Sequence, residues 1–391
     1  MKIIFDCRYT RLGRHDGISR FGARLVEELA KLHPVTMLIS DERQLEMLPK
    51  LPWVLGPDPT SAREPFVALT VNKYHPDVVF TPMQTMGPGL RDYALVTTVH
   101  DLIYYTHRTP PRDLNPALRL LWRAYHLSWA PQRALLNRAD AHLVDSETTR
   151  DLMAAHSLTK NPMNVVLLGT EQPAVTPART AAASKALVYM GSFMPYKNVD
   201  LIVSAMVKLP GYRLQLMSRI SHEERARLTA LAPAGAVEFF NGASDEQYTT
   251  AITDATALVS ASRDEGFGLP VVEAQALGTP VLLNDIPIFR EIGGAPAGYF
   301  DGSSVASFVS AVRELEDPAE WKRRSAASVE WARRYNWPDA AKQLLQVLID
   351  ANDTRLARSR PFRRSRLARP ARPAGRDLRG PPVATCAARP L

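Results

Sequence analysis

The sequence predicts an α/β protein built from two domains with largely parallel sheets, and three observations carry that prediction. Short apolar runs alternate with segments of helical period along most of the chain. The alternation stops over Thr170–Ser184, "TEQPAVTPARTAAAS", and then restarts. Finally, "ALVSA" (257–261), "DEGFG" (264–268), "LPVVEAQALG" (269–278) and "TPVLLND" (279–285) read as strand, tight turn, helix, strand. The turn falls at the carboxyl end of a strand, where open parallel sheets bind ligands. At 391 residues the chain is long enough for two cores.

The elements follow in order. "KIIFDC" is a first strand; a loop leads to a helix from about Gly17 to Lys31, with Ile18, Phe21, Leu25, Val26 and Leu29 on one face. "VTMLIS", "PDVVF" and "ALVTTVH" are short apolar strands. "NPALRLLWRAYHLSWA" and "PQRALLNRAD" are helical. "AHLVDSETTRDLMAAH" is a strand and a helix with Ser146 or Thr148 as cap, and "NVVLLG" closes the first half. The second half runs through "KALVYMGSF", "YRLQLMS", "VEFFNG" and "ATALVSA", with helices from Ser303 to about Asn352. This gives a first domain over 1–170, a linker over 171–184, a second domain over 185–353 and a tail over 354–391. The tail is Arg/Pro-rich without an apolar stripe, and disorder is expected there.

Composition excludes several classes. Hydrophobic residues make up 46% and charged residues 23%, ordinary for a globular protein. No apolar run approaches the roughly 20 residues needed to span a bilayer. "MKIIFDCRY" meets an acid at Asp6 and reads as a strand rather than a signal peptide. Two cysteines, Cys7 and Cys386, do not make a disulfide framework and suit a reducing cytoplasm. The net charge of +8 belongs to the tail. Eleven arginines lie beyond Asp353 against one acid, Asp377, which leaves 37 basic and 39 acidic residues elsewhere. A globally basic nucleic-acid enzyme therefore loses its support. The nine histidines show no metal-ligand spacing, so no bound metal is expected.

The two glutamates flanking Gly-Phe-Gly carry the chemistry. Gly266 and Gly268 allow backbone N–H groups to approach a ligand, and the N–H groups of Gly266, Phe267, Gly268 and Leu269 over a helix start suit a diphosphate. Glu273, one turn into the helix, can accept two hydrogen bonds from a vicinal diol such as a ribose, and Glu265 faces what lies beyond the phosphates. Taken singly, Glu273 is a helix-start acid and Glu265 a solvated loop acid; together, in this strand–turn–helix setting, they read as a site.

"EGFGLPVVE" followed by "AQALGTPV" resembles the signature of the retaining family-4 glycosyltransferases, down to about residue 350. The resemblance implies the GT-B architecture, two Rossmann-like domains facing across a cleft. Within the family the chain is most similar to bacterial mannosyltransferases of surface-polysaccharide assembly. It implies a hexose, best mannose from GDP-mannose, moved to a carbohydrate or lipid-linked acceptor, with same-face attack and the leaving phosphate taking the acceptor proton. It maps the family's donor-site lysine to Lys197 in "GSFMPYKN", its diphosphate glycine to Gly17 in "GRHDGISRF", and its donor-sugar histidine to His100 in "TTVHD". Glu265, His100 and Lys197 are thus the expected catalytic set; Gly17, Gly266–Leu269 and Glu273 are the expected donor-binding set. Many members carry an arginine where this chain has Ser192; Arg219 in "LMSRIS" is the candidate substitute. No cofactor is implied beyond the nucleotide sugar.

Two competing readings stand beside this one. An NAD-dependent oxidoreductase would use Asp41, after "VTMLIS", as its ribose acid, but "CRYTRLGRHDG" lacks G-x-G-x-x-G. A scaffold that kept the fold and lost the chemistry conflicts with Glu265, Glu273 and Lys197. The eleven arginines of the tail suit electrostatic attraction to anionic lipid. The segment from Tyr104 to Arg133 mixes arginines with Trp122, Tyr125 and Trp129, which suits a membrane surface or a lipid-linked acceptor. At helical spacing the same residues read as helix packing, and packing is expected. The predicted location is the cytoplasm, with peripheral contact at the inner face of the membrane.

Overall fold

A computed structural model describes residues 1–87, 89–110, 115–171 and 179–367. The first half is a seven-stranded parallel sheet in the order β3-β2-β1-β4-β5-β6-β7. Its strands are β1 (Ile3–Asp6), β2 (Val35–Ile39), β3 (Trp53–Leu55), β4 (Val78–Thr81), β5 (Ala94–Val99), β6 (Ala141–Val144) and β7 (Met163–Val165). Every residue of β1, β4, β5 and β6 is buried, the polar Asp6, Thr81, Thr97, Thr98 and His142 included, as befits parallel strands covered on both faces. The covering helices are α1 (Gly17–Leu32), α2 (Val67–Val71), α3 (Ile103–Thr106), α4 (Pro116–Tyr125), α5 (Ala130–Leu136) and α6 (Glu147–Ala155). Asp16 caps α1 by accepting from the Ser19 N–H, and Ser146 caps α6 through Thr149.

The second half repeats the plan with six parallel strands in the order β10-β9-β8-β11-β12-β13. These are β8 (Ala186–Tyr189), β9 (Arg213–Leu216), β10 (Val237–Phe239), β11 (Ala257–Ser260), β12 (Val281–Asn284) and β13 (Gly298–Phe300). Helices α7 (Val199–Ala205), α8 (His222–Thr229), α9 (Asp245–Asp254), α10 (Leu269–Ala276), α11 (Pro287–Gly293), α12 (Val305–Glu314), α13 (Pro318–Ala332) and α14 (Trp337–Leu367) follow. Helix α10 ends where Gly278, at φ +71°, lets Thr279 N–H reach back to Ala274 O at 2.9 Å. The strands β3 and β13 were not anticipated; at three residues each they are too short to show a period.

Each half is doubly wound, and its strand order reverses once, between β1 and β4 and between β8 and β11. Ligands bind at such reversals, beyond the strand ends. The halves are held together after α13. Trp337 packs against Phe21 of α1 at 6.3 Å between ring centroids, and Thr170 N–H donates to Tyr335 O at 3.0 Å. A side chain at Gly169 would meet Trp337 at 2.5 Å, so only glycine allows this approach. Both sheets lie within one compact unit, Met1–Asn352.

Two expectations about order change or fall outside the described residues. The tail expected to be disordered from 354 continues α14 as helix to Leu367, through Pro361. Residues 368–391, and 172–178 of the expected linker, lie outside the described residues.

Candidate active site

The segments after β1, β5, β8 and β11 supply the site. The loop after β8 carries Lys197, and the turn after β11 carries Glu265. Their side chains meet, Lys197 Nζ 2.5 Å from Glu265 Oε1, with both mostly buried. The Tyr196 ring lies 5.1 Å from Lys197 Nζ, and the Arg263 N–H is fixed by Tyr196 O at 2.8 Å. So the expected lysine and the first glutamate, 68 residues apart in the chain, form one ion pair.

The turn itself is shaped by its glycines in two different ways. Gly268 caps α10 at φ +96°, a conformation that favours glycine. Gly266 does something the sequence reading did not foresee. A Cβ there would stand 2.6 Å from the His100 carbonyl oxygen and 2.9 Å from Asp101 Cβ. Its missing side chain makes room for the backbone of the opposite half as well as for a ligand. Phe267 contributes only its backbone, because its side chain is buried edge-on against Tyr335 at 5.7 Å. Gly17 is the first residue of α1, its Cβ direction open to at least 4 Å, so that helix start is accessible.

Glu273 is held by partners that went unnoticed in the sequence. Arg20 Nη1 stands 3.1 Å from Oε1 and the Tyr248 hydroxyl donates to Oε2 at 3.0 Å. Burial raises this carboxyl above its ordinary range, and Arg20 and Tyr248 oppose the shift. Two carboxylate oxygens offer about four acceptor sites, so the two bonds leave room for a diol. Beside Glu273 a cavity of about 640 Å³ opens between α1, α9 and α10, lined among others by His15, Arg20, Asp245 and Tyr248. That is the size of a small-molecule site. Lys197 and Glu265 lie outside this lining.

His100 departs from its expected role. Its Nδ1–H donates to Asp145 Oδ2 at 2.5 Å and its Nε2–H to Pro82 O at 2.8 Å. Burial alone would lower its pKa. The Asp145 carboxylate and the Pro82 carbonyl outweigh that and push it up to about 9. With both nitrogens committed as donors, the ring ties together the loops after β4 and β6 and has no free N–H for a sugar. An acid at the end of a parallel strand, as in "LVDS", is the signal that could have found Asp145. On the near side, His107 Nε2 lies 3.6 Å from Asp264 Oδ2, its ring stacked at 5.0 Å on Tyr196. Burial raises the carboxyls of Asp101 and Asp264 there.

Ser192 and Arg219 sit on adjacent loops, joined by Gly191 N–H donating to Ser218 Oγ at 3.0 Å. Arg219 is exposed, and among the described residues its guanidinium has no carboxylate partner, so it can serve an anion. Asp41 is no ribose acid: it caps the short helix Glu42–Met47 and pairs with Arg43 at 2.5 Å.

Two facing doubly wound sheets, with a lysine and two carboxylates at the strand ends between them, define a GT-B glycosyltransferase. The chain matches the model of Glycosyltransferase Family 4 over residues 15–171 and that of Glycosyl transferases group 1 over residues 177–327, and it belongs to the family-4 glycosyltransferases. Among curated relatives, it is 28% identical to D-inositol 3-phosphate glycosyltransferase of Mycolicibacterium smegmatis over 60% of this chain and 58% of that protein. It is 27% identical to the serotype-specific mannosyltransferase WbdA of Escherichia coli over 58% of this chain but only 27% of WbdA. MMP alpha-(1->4)-mannosyltransferase of Mycolicibacterium hassiacum is 24% identical over 68% of each. Solved structures share the fold. Sucrose-phosphate synthase from Thermosynechococcus elongatus superposes with a TM-score of 0.67 at 20% identity, covering 89% of this chain and 98% of that one. Anabaena HepE, in complex with UDP and glucose, gives 0.66 at 16%, covering 90% and 100%.

Proposed function

We propose that this glycosyltransferase moves mannose from GDP-mannose, with retention and without a tightly bound metal, onto a carbohydrate or lipid-linked acceptor of cell-surface glycan assembly, at the cytoplasmic side. The observation that carries the reading is the Lys197–Glu265 pair at the start of α10, with Glu273 one turn further along. An acceptor hydroxyl attacks the anomeric carbon, the bond from that carbon to the phosphate oxygen breaks on the same face, and the leaving phosphate takes the hydroxyl proton. Lys197, Arg219 and the N–H groups opening α10 and α1 neutralise the charge gathering on the diphosphate. Glu273 binds the ribose and Glu265 orients the sugar. His100 acts at one remove, by fixing the loops that shape the pocket. Two relatives named as mannosyltransferases support the sugar, and HepE, solved with UDP, supports a nucleotide diphosphate.

Thermal shift with GDP, UDP and their sugars identifies the donor, since a ligand that binds only the folded state raises the melting temperature. Proton NMR of fresh product from an α-linked donor reads the anomer. An α-product formed in the presence of chelator is expected. A β-product, or activity abolished by chelator and restored by metal, overturns the mechanism.

A further inference from the structure

The candidate site gathers Asp101, Asp145, Asp264, Glu265 and Glu273, and four of these carboxylates have a basic side chain beside them. Asp145 accepts from His100 at 2.5 Å, Glu265 lies 2.5 Å from Lys197, Glu273 3.1 Å from Arg20 and Asp264 3.6 Å from His107. Asp101 is the exception. Its Oδ1 accepts from the Ile103 N–H at 3.1 Å, while its Oδ2 has neither hydrogen bond nor ion pair among the described residues. The cations that act on it, His100 and Lys197, are already bonded to Asp145 and Glu265. Asp101 is mostly buried, and burial raises its carboxyl above the ordinary range. An underpaired carboxylate in such a place costs stability, and groups of this kind collect where a ligand completes them.

Its surroundings define the ligand. A Cβ on Gly266 would stand 2.9 Å from Asp101 Cβ, so the side chain is set against the turn that opens α10. Its charge is felt by Tyr196 and Asp264, the chain neighbours of Lys197 and Glu265. Asp101 thus reaches the catalytic pair from the first half, whereas Lys197, Glu265 and Glu273, assigned to the donor, belong to the second. The first half is the side left for the acceptor. A carboxylate oxygen only accepts hydrogen bonds, and the Ile103 N–H steadies the side chain through Oδ1, so the partner of Oδ2 must bring a hydrogen.

We propose that Asp101 selects a sugar acceptor by accepting a hydrogen bond from the hydroxyl next to the one that reacts. This rests on the proposed reaction, in which the attacking hydroxyl oxygen bonds to the anomeric carbon, the bond from that carbon to the phosphate oxygen breaks, and the proton goes to the leaving phosphate. The attacking hydroxyl has one hydrogen and needs it for that transfer. Asp101 therefore holds a second hydroxyl and stays ionised throughout. Two fixed points on one ring set the attacking oxygen against the anomeric carbon. An acceptor with a lone hydroxyl supplies no such partner and leaves the carboxylate unpaired.

The test measures transfer from GDP-mannose to methyl α-mannoside, to its monodeoxy forms and to propanol. Asp101→Asn keeps an oxygen for the Ile103 N–H, so its melting temperature should be no lower than that of wild type. Its kcat/KM for methyl α-mannoside should fall about tenfold or more, with GDP affinity not reduced. One deoxy form should cost wild type a similar factor and cost Asp101→Asn nothing further, the mark of a direct contact. The proposal is overturned if the variant transfers as wild type does, if every deoxy form costs both proteins the same factor, or if propanol serves as well as the mannoside or neither is used. A clearly lower melting temperature would make Asp101 a structural acid, and weaker binding of GDP-mannose with GDP binding unchanged would give it to the donor; either result also overturns it. If GDP-mannose neither binds nor transfers while UDP-glucose does, the proposed donor fails, and the same measurements with UDP-glucose still decide the role of Asp101.

Discussion

Arg20 Nη1 stands 3.1 Å from Glu273 Oε1, and this ion pair joins α1 of the first half to α10 of the second across 253 residues of chain. The same arginine reaches Asp245 Oδ1 at 3.1 Å, so it bridges two carboxylates at the wall of the cavity. The first half thus supplies a cation to the carboxylate assigned to the ribose.

Glu273→Gln loses charge-assisted hydrogen bonds worth roughly 1.5–3 kcal/mol each, so GDP or UDP binding should weaken about tenfold or more. Arg20→Met leaves the buried carboxyl with Tyr248 alone and raises its pKa further. Nucleotide affinity in that variant should therefore begin to fall at a higher pH than in wild type as the solution is acidified. Calorimetry across pH checks both, and unchanged affinity in Glu273→Gln would return the residue to a structural acid.

Lys197→Ala removes the cation proposed to neutralise the leaving group and leaves Glu265 without its partner. Single-turnover rates at saturating donor should drop by about a hundredfold or more, an effect of the size seen when one charge-stabilising donor is deleted. A variant that turns over normally would assign that work to Arg219 and the backbone.

The His100–Asp145 pair predicts a particular dependence of stability on pH. The folded value, about 9, lies above the ordinary 6.5. The pair's contribution is therefore complete below about pH 6.5 and is lost as pH rises through 9, a change on the order of 3 kcal/mol. Urea melts from pH 6 to 10 should show this decline in wild type and a flatter profile in Asp145→Asn. Equal slopes in the two proteins would contradict the charged imidazole.

Gly266→Ala should be costly although alanine is small and the backbone there is ordinary. The added methyl meets the carbonyl of His100, which cannot swing aside as a side chain could. Overpacking of this kind costs about 1–3 kcal/mol and should appear as a lower melting temperature together with slower turnover. Wild-type stability and rate would show that the two halves part easily at this contact.

Much of this protein was legible in its sequence. Strand and helix alternation predicted two parallel-sheet halves because periodicity is a local property, and Pro270, Gly278 and the capping Ser146 mark their elements through backbone chemistry alone. The signature around Glu265 and Glu273 is a local pattern, with a strand, a turn and a helix placing the two within a few positions of one another, whereas Lys197 was reached through the resemblance and meets Glu265 across 68 residues of chain. The partners were not readable. Arg20 lies in the first turns of α1, in "GRHDGISRF", with nothing local to distinguish it, and Asp145 and Tyr248 meet their imidazole or carboxylate only across strands and helices distant in the chain. The leucines of α4 carry a helical period that is the same whether they face a core or water. A period reports which residues share a side of a helix; only the packing of the other elements decides whether anything lies against that side.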